Sequence, residues 1–228
     1  MVYAIIVAAG KGVRMNSPIR KQFFELDGRP LLCITLKAFD LCTLIESIIL
    51  VVPPEDFQYC IDQVINPLNL KNKIKLVKGG PERQDSVYNG LLAVDEKDAL
   101  VVIHDGVRPF VSSDLIGECI RQALLHKACI LGWPASDTIK VSDDTGYIKK
   151  TLSRDLLWSA QTPQAFDYRL IKKAHDTARK QGYTGTDDAQ LVEMTGEKVK
   201  IIQGSKNNIK ITTKEDFILA QAILNLNK

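Results

Sequence analysis

The chain has 228 residues, a formal net charge of +3, and 45% hydrophobic and 25% charged residues. This length suits one α/β domain, 1–228, whose core is large enough to need no disulfide or metal for stability. The composition excludes a disordered chain, a collagen and a coiled coil, and the mild charge argues against a general nucleic-acid binder.

The cysteines and the amino-terminal segment indicate the compartment. The five cysteines are odd in number, spread from Cys33 to Cys129, and no two are spaced as CxxC. This distribution favours reduced, buried thiols in a cytoplasmic protein over zinc or a disulfide framework. No apolar run reaches ~18 residues, so we expect no membrane span. The opening MVYAIIVAAG lacks the basic flank of a signal peptide and is interpreted as a first buried strand.

Short apolar runs alternate with amphipathic stretches along the chain. The runs IIVAA, SIILVV and ALVVI are continuously apolar, which is typical of parallel strands covered on both faces. The alternation predicts an α/β fold with a single open, mostly parallel twisted sheet and helices on both faces. The predicted strands are Ala4–Ala8, Ser47–Val52, Lys73–Val77, Leu100–His104, Cys129–Pro134, Trp158–Thr162 and Val199–Gln203. The predicted helices lie near Leu31–Leu41, Asp85–Val94, Ser113–Lys127, Tyr168–Gln181, Asp187–Thr195 and Lys214–Leu226.

One segment breaks this alternation. From Asp137 to Arg154, two β-like runs flank the polar turn SDDTG, which ends in Gly146. The pattern predicts a β-hairpin arm that projects from the sheet. Because an isolated hairpin is marginal in water, we expect the arm to pack on something, such as another subunit.

Ligands of open α/β sheets bind at the carboxyl ends of the strands, and five segments of unusual composition fall there. The first, AAGKGVRMNSPIRKQ, brings small residues and two glycines beside the cations Arg14 and Lys21. Such a loop lets backbone N–H groups approach phosphate oxygens. It is not a dinucleotide fingerprint, because Met15 stands where GxGxxG needs glycine, and it is not a Walker A loop. We predict phosphate binding here over a plain turn.

The second and third segments offer further polar groups. GGPERQDSVYNGL precedes a helix whose amino terminus favours an anion or a polar base edge. The alternative is a simple helix entry capped by Asp85 or Ser86. In HDGVRPF, Asp105 and Arg108 could pair with each other, or Asp105 could hold a hydroxyl or a phosphate-bound metal while Arg108 holds an anion.

The last two segments follow the hairpin and the final strand. The arm and WSAQTPQAF contribute Thr138, Arg154 and Thr162, although Arg154 could be solvated and TPQ only a turn. TDDA contributes Thr186 as a helix cap or a ligand. NNIKITTKED contributes Lys210 as an outward-facing strand lysine or a ligand.

No nucleophile–base pair stands out, because the sequence contains no GxSxG, HExxH or Cys–His signature. His104 is expected to be structural, and His126 and His175, in helical patterns, to be solvated. A phosphomonoester is largely a dianion at pH 7 and can attack another phosphorus without a general base, provided that cations and Mg²⁺ offset the charge. Nucleotidyl transfer therefore fits better than ester or amide hydrolysis. The cations expected at one edge of the sheet are Arg14, Lys21, Arg154 and Lys210.

The motifs AAGKGVRM…KQ, GG–ER–DSV–GL, HDGVRPF, DTIK, TPQAF, TDDA and NIKIT resemble, in order and spacing, those of the 2-C-methyl-D-erythritol 4-phosphate cytidylyltransferases. The resemblance runs from about Ala4 to the final helix. It implies a Rossmann-like nucleotidyltransferase of the non-mevalonate isoprenoid pathway, which joins CTP to 2-C-methyl-D-erythritol 4-phosphate and releases pyrophosphate. It also implies Mg²⁺, held mainly by the CTP phosphates with its protein ligands unknown. It further implies a homodimer in which the arm at 137–153 crosses to the neighbour, and no nucleic-acid partner.

The resemblance also implies roles for individual residues. Arg14 and Lys21 would stabilise the charged pentacoordinate α-phosphate, and Arg154 and Lys210 would position the substrate phosphate for attack. The nucleotide contacts would come from Ala8, Ala9, Gly10, Gly12, Arg14, Lys21, Gly80, Ser86 and Gly106. The substrate contacts would come from Asp105, Arg108, Thr162, Thr186 and Lys210, with Thr138 and Arg154 supplied by the arm of the neighbouring subunit.

Two residues depart from the family pattern. Arg20 stands where the family usually has proline before the motif lysine, which would make the loop less rigid and more cationic. Pro81 stands where the family usually has an acidic residue that contacts cytosine, and proline has neither an N–H nor a side-chain hydrogen-bond group. We therefore expect cytosine selectivity to depend on backbone groups.

Other functions share parts of this pattern. A ribitol 5-phosphate cytidylyltransferase shares most of the motif order, but TDDA and the full NIKIT segment favour methylerythritol phosphate. A sugar-nucleotide pyrophosphorylase is a more distant alternative. A catalytically silent nucleotide-binding relative should have lost one of the four cations, and all four are present. Met15 disfavours an NAD-dependent oxidoreductase.

Overall fold

The computed structural model describes residues 1–10 and 20–226. The strands in these residues are β1 (Val2–Val7), β2 (Glu25–Leu26), β3 (Arg29–Pro30), β4 (Ser47–Val52), β5 (Lys73–Lys78), β6 (Leu100–Asp105), β7 (Ala128–Pro134), β8 (Lys140–Ser142), β9 (Ile148–Thr151), β10 (Trp158–Asp167) and β11 (Lys200–Gln203). The helices are α1 (Leu31–Leu41), α2 (Phe57–Tyr59), α3 (Arg83–Leu92), α4 (Ser113–His126), α5 (Tyr168–Gln181), α6 (Asp188–Glu193) and α7 (Lys214–Leu226).

The central sheet has the strand order β11–β7–β10–β6–β1–β4–β5. β1 pairs in parallel with β4 and β6, β4 with β5, and β7 with β11, whereas β10 runs antiparallel to β6 and β7. The predicted open, mostly parallel sheet is confirmed. Because β10 is reversed, its amino-terminal end lies beside the carboxyl ends of β6 and β7, at the edge where ligands of such sheets bind.

Alternate residues of the central strands build an apolar layer on each face of the sheet. In β1, Ala4 and Ile6 pack in a core with α1 and α4, whereas Ile5 and Val7 pack in a core with α3 and α5. Both faces are therefore buried, which explains why these strands are continuously apolar rather than alternating. A third apolar cluster includes Val107 and residues of α1 and α7.

The predicted strands and helices all form, and their ends lie within two residues of the predictions, except for the strand that begins at Trp158. This strand continues to Asp167. The TPQ tripeptide is part of a bulge rather than a turn, since the register of β10 against β7 shifts between Ala160 and Gln164. The strand stays in the sheet on both sides of the shift, since it pairs with β7 at Ala160 and again at Gln164.

A reciprocal side-chain cap and two glycines define the ends of three helices. At the start of α7, the Thr213 N–H donates to Asp216 Oδ2 at 2.9 Å, and the Asp216 N–H donates to Thr213 Oγ1 at 3.3 Å. This reciprocal pair is a capping box. Gly182 (φ +63°) ends α5, and Gly196 (φ +82°) follows α6, both in the left-handed region that glycine tolerates.

The hairpin predicted for 137–153 forms from β8 and β9, with Gly146 at φ +90° in its turn. It is a two-stranded sheet separate from the central one. Several apolar side chains in and next to it are exposed, including Tyr147 (75%), Ile148 (64%) and Leu156 (83%). The arm therefore carries apolar surface that the described part of this chain does not cover.

The cysteine side chains lie in the protein interior. All five cysteines are buried and free of disulfides. Burial raises the pKa of the Cys33 thiol to about 11 and that of Cys60 to about 12. Within residues 1–10 and 20–226, no helix has the length and apolar character needed to span a membrane.

Candidate active site

The carboxyl edge of the sheet contains a first cavity of about 330 Å³, next to the ends of β1, β5 and β6. This volume lies within the range of small-molecule sites. One wall is made of small residues, and two lysines contribute to the lining. The predicted nucleotide contacts that line this cavity are Ala8, Ala9, Gly10, Lys21, Gly80 and Ser86.

The two glycines after β5 allow the chain to pass closely beside the first cavity. A Cβ at Gly79 would overlap the Cβ of Ala9, and a Cβ at Gly80 would overlap the first turn of α3. The Gly80 N–H donates to Ser86 Oγ at 3.0 Å, and this hydroxyl donates to the Glu82 carbonyl at 3.1 Å. Ser86 thus holds the loop at residues 80–86 in shape.

A second cavity of about 230 Å³ adjoins the first. The two share Arg83, Asp105 and Lys210, which form the wall between them. The predicted substrate contacts that line the second cavity are Asp105, Arg108, Thr162, Thr186 and Lys210. These predicted nucleotide and acceptor contacts therefore line neighbouring cavities that meet at one carboxylate.

Asp105 is the centre of the shared wall. Its Oδ1 accepts a hydrogen bond from Arg83 Nε at 2.8 Å, and its Oδ2 lies 2.7 Å from Lys210 Nζ. Burial alone would raise the pKa of Asp105, but Arg83 and Lys210 outweigh burial and hold it well below its usual range. Asp105 is thus an ionised acceptor. The pairing with Arg108 that the sequence suggested is the longest of the three contacts, at 3.8 Å.

Two cationic donors at the second cavity have no acceptor among the described residues. Arg83 Nη2 and Arg108 Nε are both buried and without a hydrogen-bond partner there. Arg108 is nevertheless held in place, because its Nη1 donates to the Asn208 carbonyl at 2.7 Å. Buried cationic donors of this kind are suited to an anionic ligand such as a phosphate.

His104 supports the turn that carries Asp105 and Arg108. Its Nε2 lies 3.0 Å from the Arg108 carbonyl, which can only accept, so Nε2 carries the proton. Nδ1 therefore accepts from the Thr162 hydroxyl at 3.0 Å, and the Thr162 oxygen accepts from the Asp105 N–H at 3.1 Å. Burial lowers the pKa of His104 to about 4, so the ring is neutral at pH 7. The structural role expected for His104 is confirmed.

These contacts limit what Thr162 can offer a ligand. Its hydroxyl proton is committed to His104, and one lone pair is committed to the Asp105 N–H. A hydroxyl has one donor and two acceptor positions, so only one acceptor position remains. Thr162 can therefore accept a hydrogen bond from a substrate hydroxyl, but it has no proton left for a phosphate.

Sequence and structure comparisons add to this geometry. The sequence model of the 2-C-methyl-D-erythritol 4-phosphate cytidylyltransferases matches residues 2–226. The chain belongs to this family. It is 47% identical over 223 residues to the cytidylyltransferase of Caldanaerobacter subterraneus subsp. tengcongensis, covering 98% of both chains. It is 46% identical over 228 residues to that of Clostridioides difficile, covering 100% of this chain and 95% of the relative.

Solved structures of the family have the same fold. The 4-diphosphocytidyl-2C-methyl-D-erythritol synthase of Anaerococcus prevotii matches with a TM-score of 0.89 at 39% identity, covering 98% of this chain and 96% of that one. The 2-C-methyl-D-erythritol 4-phosphate cytidylyltransferase of Thermus thermophilus matches with a TM-score of 0.78 at 31% identity, covering 98% of both chains. The Rossmann-like fold expected for a cytidylyltransferase is confirmed.

Not every residue predicted for a cytidylyltransferase site lines a cavity. Thr138 and Arg154 are exposed on and beside the arm, and Arg154 Nη1 donates to the Ser136 carbonyl at 3.5 Å. In this chain alone they are not brought to either cavity. Gly12 and Arg14 lie outside the described residues.

Gly106 also lies outside the lining of both cavities. Its N–H donates to the Val7 carbonyl at 2.9 Å, and its carbonyl accepts from Thr35 Oγ1 at 2.9 Å. A Cβ at this position would lie 3.0 Å from the Cβ of Ala8. Gly106 thus brings β6 and β1 close together behind the loop that lines the first cavity.

The two departures from the family pattern have different consequences. Arg20 is paired with Glu55 and, at 2.8 Å, with Asp56, so it does not add the uncompensated positive charge that the sequence suggested. Pro81 lines the first cavity beside Gly80, and it offers this cavity no N–H donor.

The sequence reasoning missed two buried residues behind the shared wall. His175 was expected to be solvated, but it is fully buried, because it lies on the apolar face of α5 with Ile171 and Ala178. It contacts Asp188, whose side chain is 1% exposed and whose Oδ2 accepts from Arg83 Nη1 at 2.8 Å. The three- and four-residue spacings of Ile171, His175 and Ala178 were the available signal.

Asp187, rather than Thr186, caps α6. Asp187 Oδ1 accepts from the Gln190 N–H at 2.9 Å, and its Oδ2 accepts from Gln164 Nε2 at 2.8 Å. The Thr186 N–H and hydroxyl both approach Gln190 Oε1, at 2.7 and 3.2 Å. Gln190 thus positions Thr186 at the rim of the second cavity.

The described residues do not provide an all-protein magnesium cage. No group of three or more His, Cys, Asp or Glu side chains suited to a metal occurs within 1–10 and 20–226. Asp105, the carboxylate common to both cavities, has its oxygens on Arg83 and Lys210. A Mg²⁺ ion at this edge would therefore take most of its ligands from substrate phosphates and water.

Proposed function

We propose that this chain transfers the cytidylyl group of CTP to 2-C-methyl-D-erythritol 4-phosphate, giving 4-diphosphocytidyl-2-C-methyl-D-erythritol and pyrophosphate for isoprenoid precursor synthesis. Membership of the family supports the reaction. The observation that carries the proposal is the pair of adjoining cavities, one lined by small residues and the other by polar and cationic groups, which meet at Asp105 and Lys210.

The chemistry needs cations rather than a base. The acceptor phosphate attacks the α-phosphorus of CTP, and pyrophosphate leaves. Arg14 and Lys21 stabilise the charge that develops at the α-phosphorus, while Lys210 and Arg154 position the attacking phosphate. When bound, Mg²⁺ offsets the charge of the triphosphate. Among the described residues, His104 is neutral and bonded on both nitrogens, which agrees with a reaction that requires no general base.

The first cavity is the nucleotide site and the second the acceptor site. The small residues at the end of β1 admit the triphosphate, and Gly80 and Ser86 lie beside the nucleoside. Asp105 and Thr162 accept hydrogen bonds from hydroxyls of the acceptor, while Arg108 and Lys210 supply positive charge. Thr186 completes the rim. These assignments follow the family pattern and the residues that line each cavity.

We also propose that the enzyme is a homodimer and that the 137–153 arm delivers Thr138 and Arg154 to the partner's acceptor site. The exposed apolar side chains of the arm favour such a contact, because a surface of this kind is stabilised by burial. We place the enzyme in the cytoplasm, where its buried free thiols stay reduced. It needs no nucleic-acid partner.

A subunit-mixing experiment tests the arm. Arg154→Ala and Lys210→Ala chains are each expected to be inactive, and a mixture after subunit exchange should recover about a quarter of the wild-type activity. This is because half of the dimers are mixed and each then holds one intact site. A mixture of Lys210→Ala and Asp105→Asn chains should recover no activity. Both residues belong to the same chain's site, so each site of a mixed dimer lacks one of them. No recovery in the first mixture, with exchange verified, would place Arg154 in its own chain's site.

The reaction itself is tested by pyrophosphate release with Mg²⁺. CTP is offered with 2-C-methyl-D-erythritol 4-phosphate or ribitol 5-phosphate, and UTP replaces CTP in parallel reactions. Release only with CTP and methylerythritol phosphate is expected. Release only with ribitol phosphate would change the acceptor, and release with UTP would show that Pro81 relaxes base choice. Absence of release from folded protein would favour a silent relative.

A further inference from the structure

A continuous series of ionic contacts runs from the shared wall of the two cavities into the protein interior. Lys210 contacts Asp105 Oδ2, and Arg83 Nε contacts Asp105 Oδ1. Arg83 Nη1 donates to Asp188 Oδ2, and Asp188 Oδ1 lies 3.1 Å from His175 Nε2. The side chains of Asp188 and His175 are 1% and 0% exposed, and neither residue lines the first or the second cavity.

The geometry at Arg83 depends on competition between two carboxylates. An arginine and a carboxylate prefer a two-point contact, and in Arg83 the edge formed by Nε and Nη2 could make one with Asp105. Only Nε does so, and Nη2 is buried with no acceptor among the described residues. Asp188 holds Nη1 on the opposite side of the guanidinium. Because Arg83 uses one oxygen of Asp105, the second remains for Lys210.

His175 fixes the carboxylate that holds Arg83. No described residue contacts its Nδ1 through a hydrogen bond, whereas Nε2 faces Asp188. An ionised Asp188 carboxylate can only accept a hydrogen bond, so Nε2 of His175 carries a proton. His175 then donates to Asp188 Oδ1 and restricts rotation of that carboxylate, leaving Oδ2 directed at Arg83.

We propose that Asp188 and His175 are positioning residues that restrain Arg83 to one oxygen of Asp105, so that the other oxygen orients Lys210 toward the acceptor phosphate. This inference rests on the proposed function, in which Lys210 binds that phosphate. Without the restraint, Arg83 turns its free Nη2 to the second oxygen of Asp105 and displaces Lys210. The two buried residues therefore act on the reaction without touching either substrate.

The test uses matched variants of the full-length enzyme. Asp188→Asn removes the competing charge with little change in shape. His175→Phe removes the Nε2 donor and keeps a ring, whereas His175→Gln retains an amide donor of similar reach. Asp176→Asn is the control, since Asp176 also lies on α5, next to His175, but pairs with Lys172 and Tyr88 instead of the Arg83 series.

The kinetic readout separates this role from a general loss of stability. Asp188→Asn and His175→Phe should lower kcat/KM for methylerythritol phosphate about tenfold or more, by analogy with loss of a residue that orients a ligand-binding side chain. His175→Gln should recover most of the loss, and Asp176→Asn should stay within twofold of wild type. In a Lys210→Gln background, Asp188→Asn should have almost no further effect, because both changes act through one group.

Two kinetic outcomes overturn the inference while leaving the proposed function intact. One is an active wild-type enzyme whose folded Asp188→Asn and His175→Phe variants keep the wild-type kcat/KM. The other is full additivity of Asp188→Asn and Lys210→Gln. A wild-type enzyme that is inactive with CTP and methylerythritol phosphate overturns the proposed function instead. A crystal structure of the Asp188→Asn variant tests the geometry separately. Unchanged contacts of Arg83 and Lys210 with Asp105 would also overturn the inference.

Discussion

Acidification should destabilise this protein through His104, a residue that takes no direct part in the proposed chemistry. The ring is fully buried, and burial lowers its pKa from 6.5 to about 4. Between about pH 4 and pH 6.5, the unfolded chain therefore binds a proton at His104, whereas the folded chain does not. The stability that His104 contributes in its neutral form is complete above pH 6.5 and is lost as the pH falls from 6.5 to about 4.

The size of the effect follows from the two pKa values. One pKa unit corresponds to about 1.4 kcal/mol, so the full loss is about 3 kcal/mol, of which about 2 kcal/mol has occurred by pH 5. This is a large fraction of the 5–15 kcal/mol by which a typical domain is stable. Protonation would place a second donor on Nδ1, against the Thr162 hydroxyl, and so disturb the turn that carries Asp105.

The assay is urea unfolding between pH 4 and 8 at one fixed protein concentration, because any subunit association makes stability depend on concentration. The free energy of unfolding of wild type should fall by about 2 kcal/mol more than that of His104→Gln between pH 7.5 and 5. His126→Gln, at the exposed end of α4, should follow the wild-type curve. Equal pH slopes for wild type and His104→Gln would refute the reasoning, whatever the absolute stability of the variant.

Three further outcomes are expected. Gly90→Ala should lower the melting temperature, because the new Cβ would lie 2.5 Å from Cγ2 of Ile5 and overpacking costs about 1–3 kcal/mol. This cost outweighs the helix preference of alanine, which is up to ~1 kcal/mol, and a higher melting temperature would contradict the prediction. Arg14→Ala or Lys21→Ala should each lower kcat on the order of 10²–10³-fold with an unchanged circular dichroism spectrum, and near-wild-type turnover would remove that residue from the chemistry. At pH 8 a thiol reagent should label the native protein at fewer than one cysteine per chain and the urea-unfolded protein at all five. The native thiols are buried, and burial raises the pKa of Cys33 to about 11, so rapid labelling of the native protein would refute this prediction.

The sequence predicts the fold well because local patterns and global packing agree. Strands buried on both faces leave continuous apolar runs such as IIVAA, SIILVV and ALVVI, and every strand of the central sheet starts within two residues of its predicted start. Short elements with little apolar content were overlooked. The β2–β3 hairpin turns at Asp27 and Gly28, which have φ +56° and +72°, and an Asp-Gly pair is a strong signal for this turn. That signal was present in the sequence but was not used.

The site was predictable at the level of segments and less so at the level of contacts. The rule that ligands bind at the carboxyl ends of strands brought Asp105, Lys210 and the loop near Gly80 to one edge. It could not predict which cation pairs with Asp105. Arg83 is 22 residues away in sequence, and its contact depends on how α3 packs against the sheet. Local spacing instead suggested Arg108, whose Nε lies 3.8 Å from the carboxylate.

The charge balance of the residues around Asp105 explains why Asp188, which the sequence reasoning missed, matters for binding. Arg83, Arg108 and Lys210 carry three positive charges, and the carboxylates of Asp105 and Asp188 offset two of them. Burying the remaining charge is unfavourable unless it is compensated, and no described residue accepts a hydrogen bond from Arg83 Nη2 or Arg108 Nε. A phosphate in the second cavity would add negative charge beside Arg83, Arg108 and Lys210. An anionic ligand there and the buried carboxylate of Asp188 would therefore both stabilise the cationic groups.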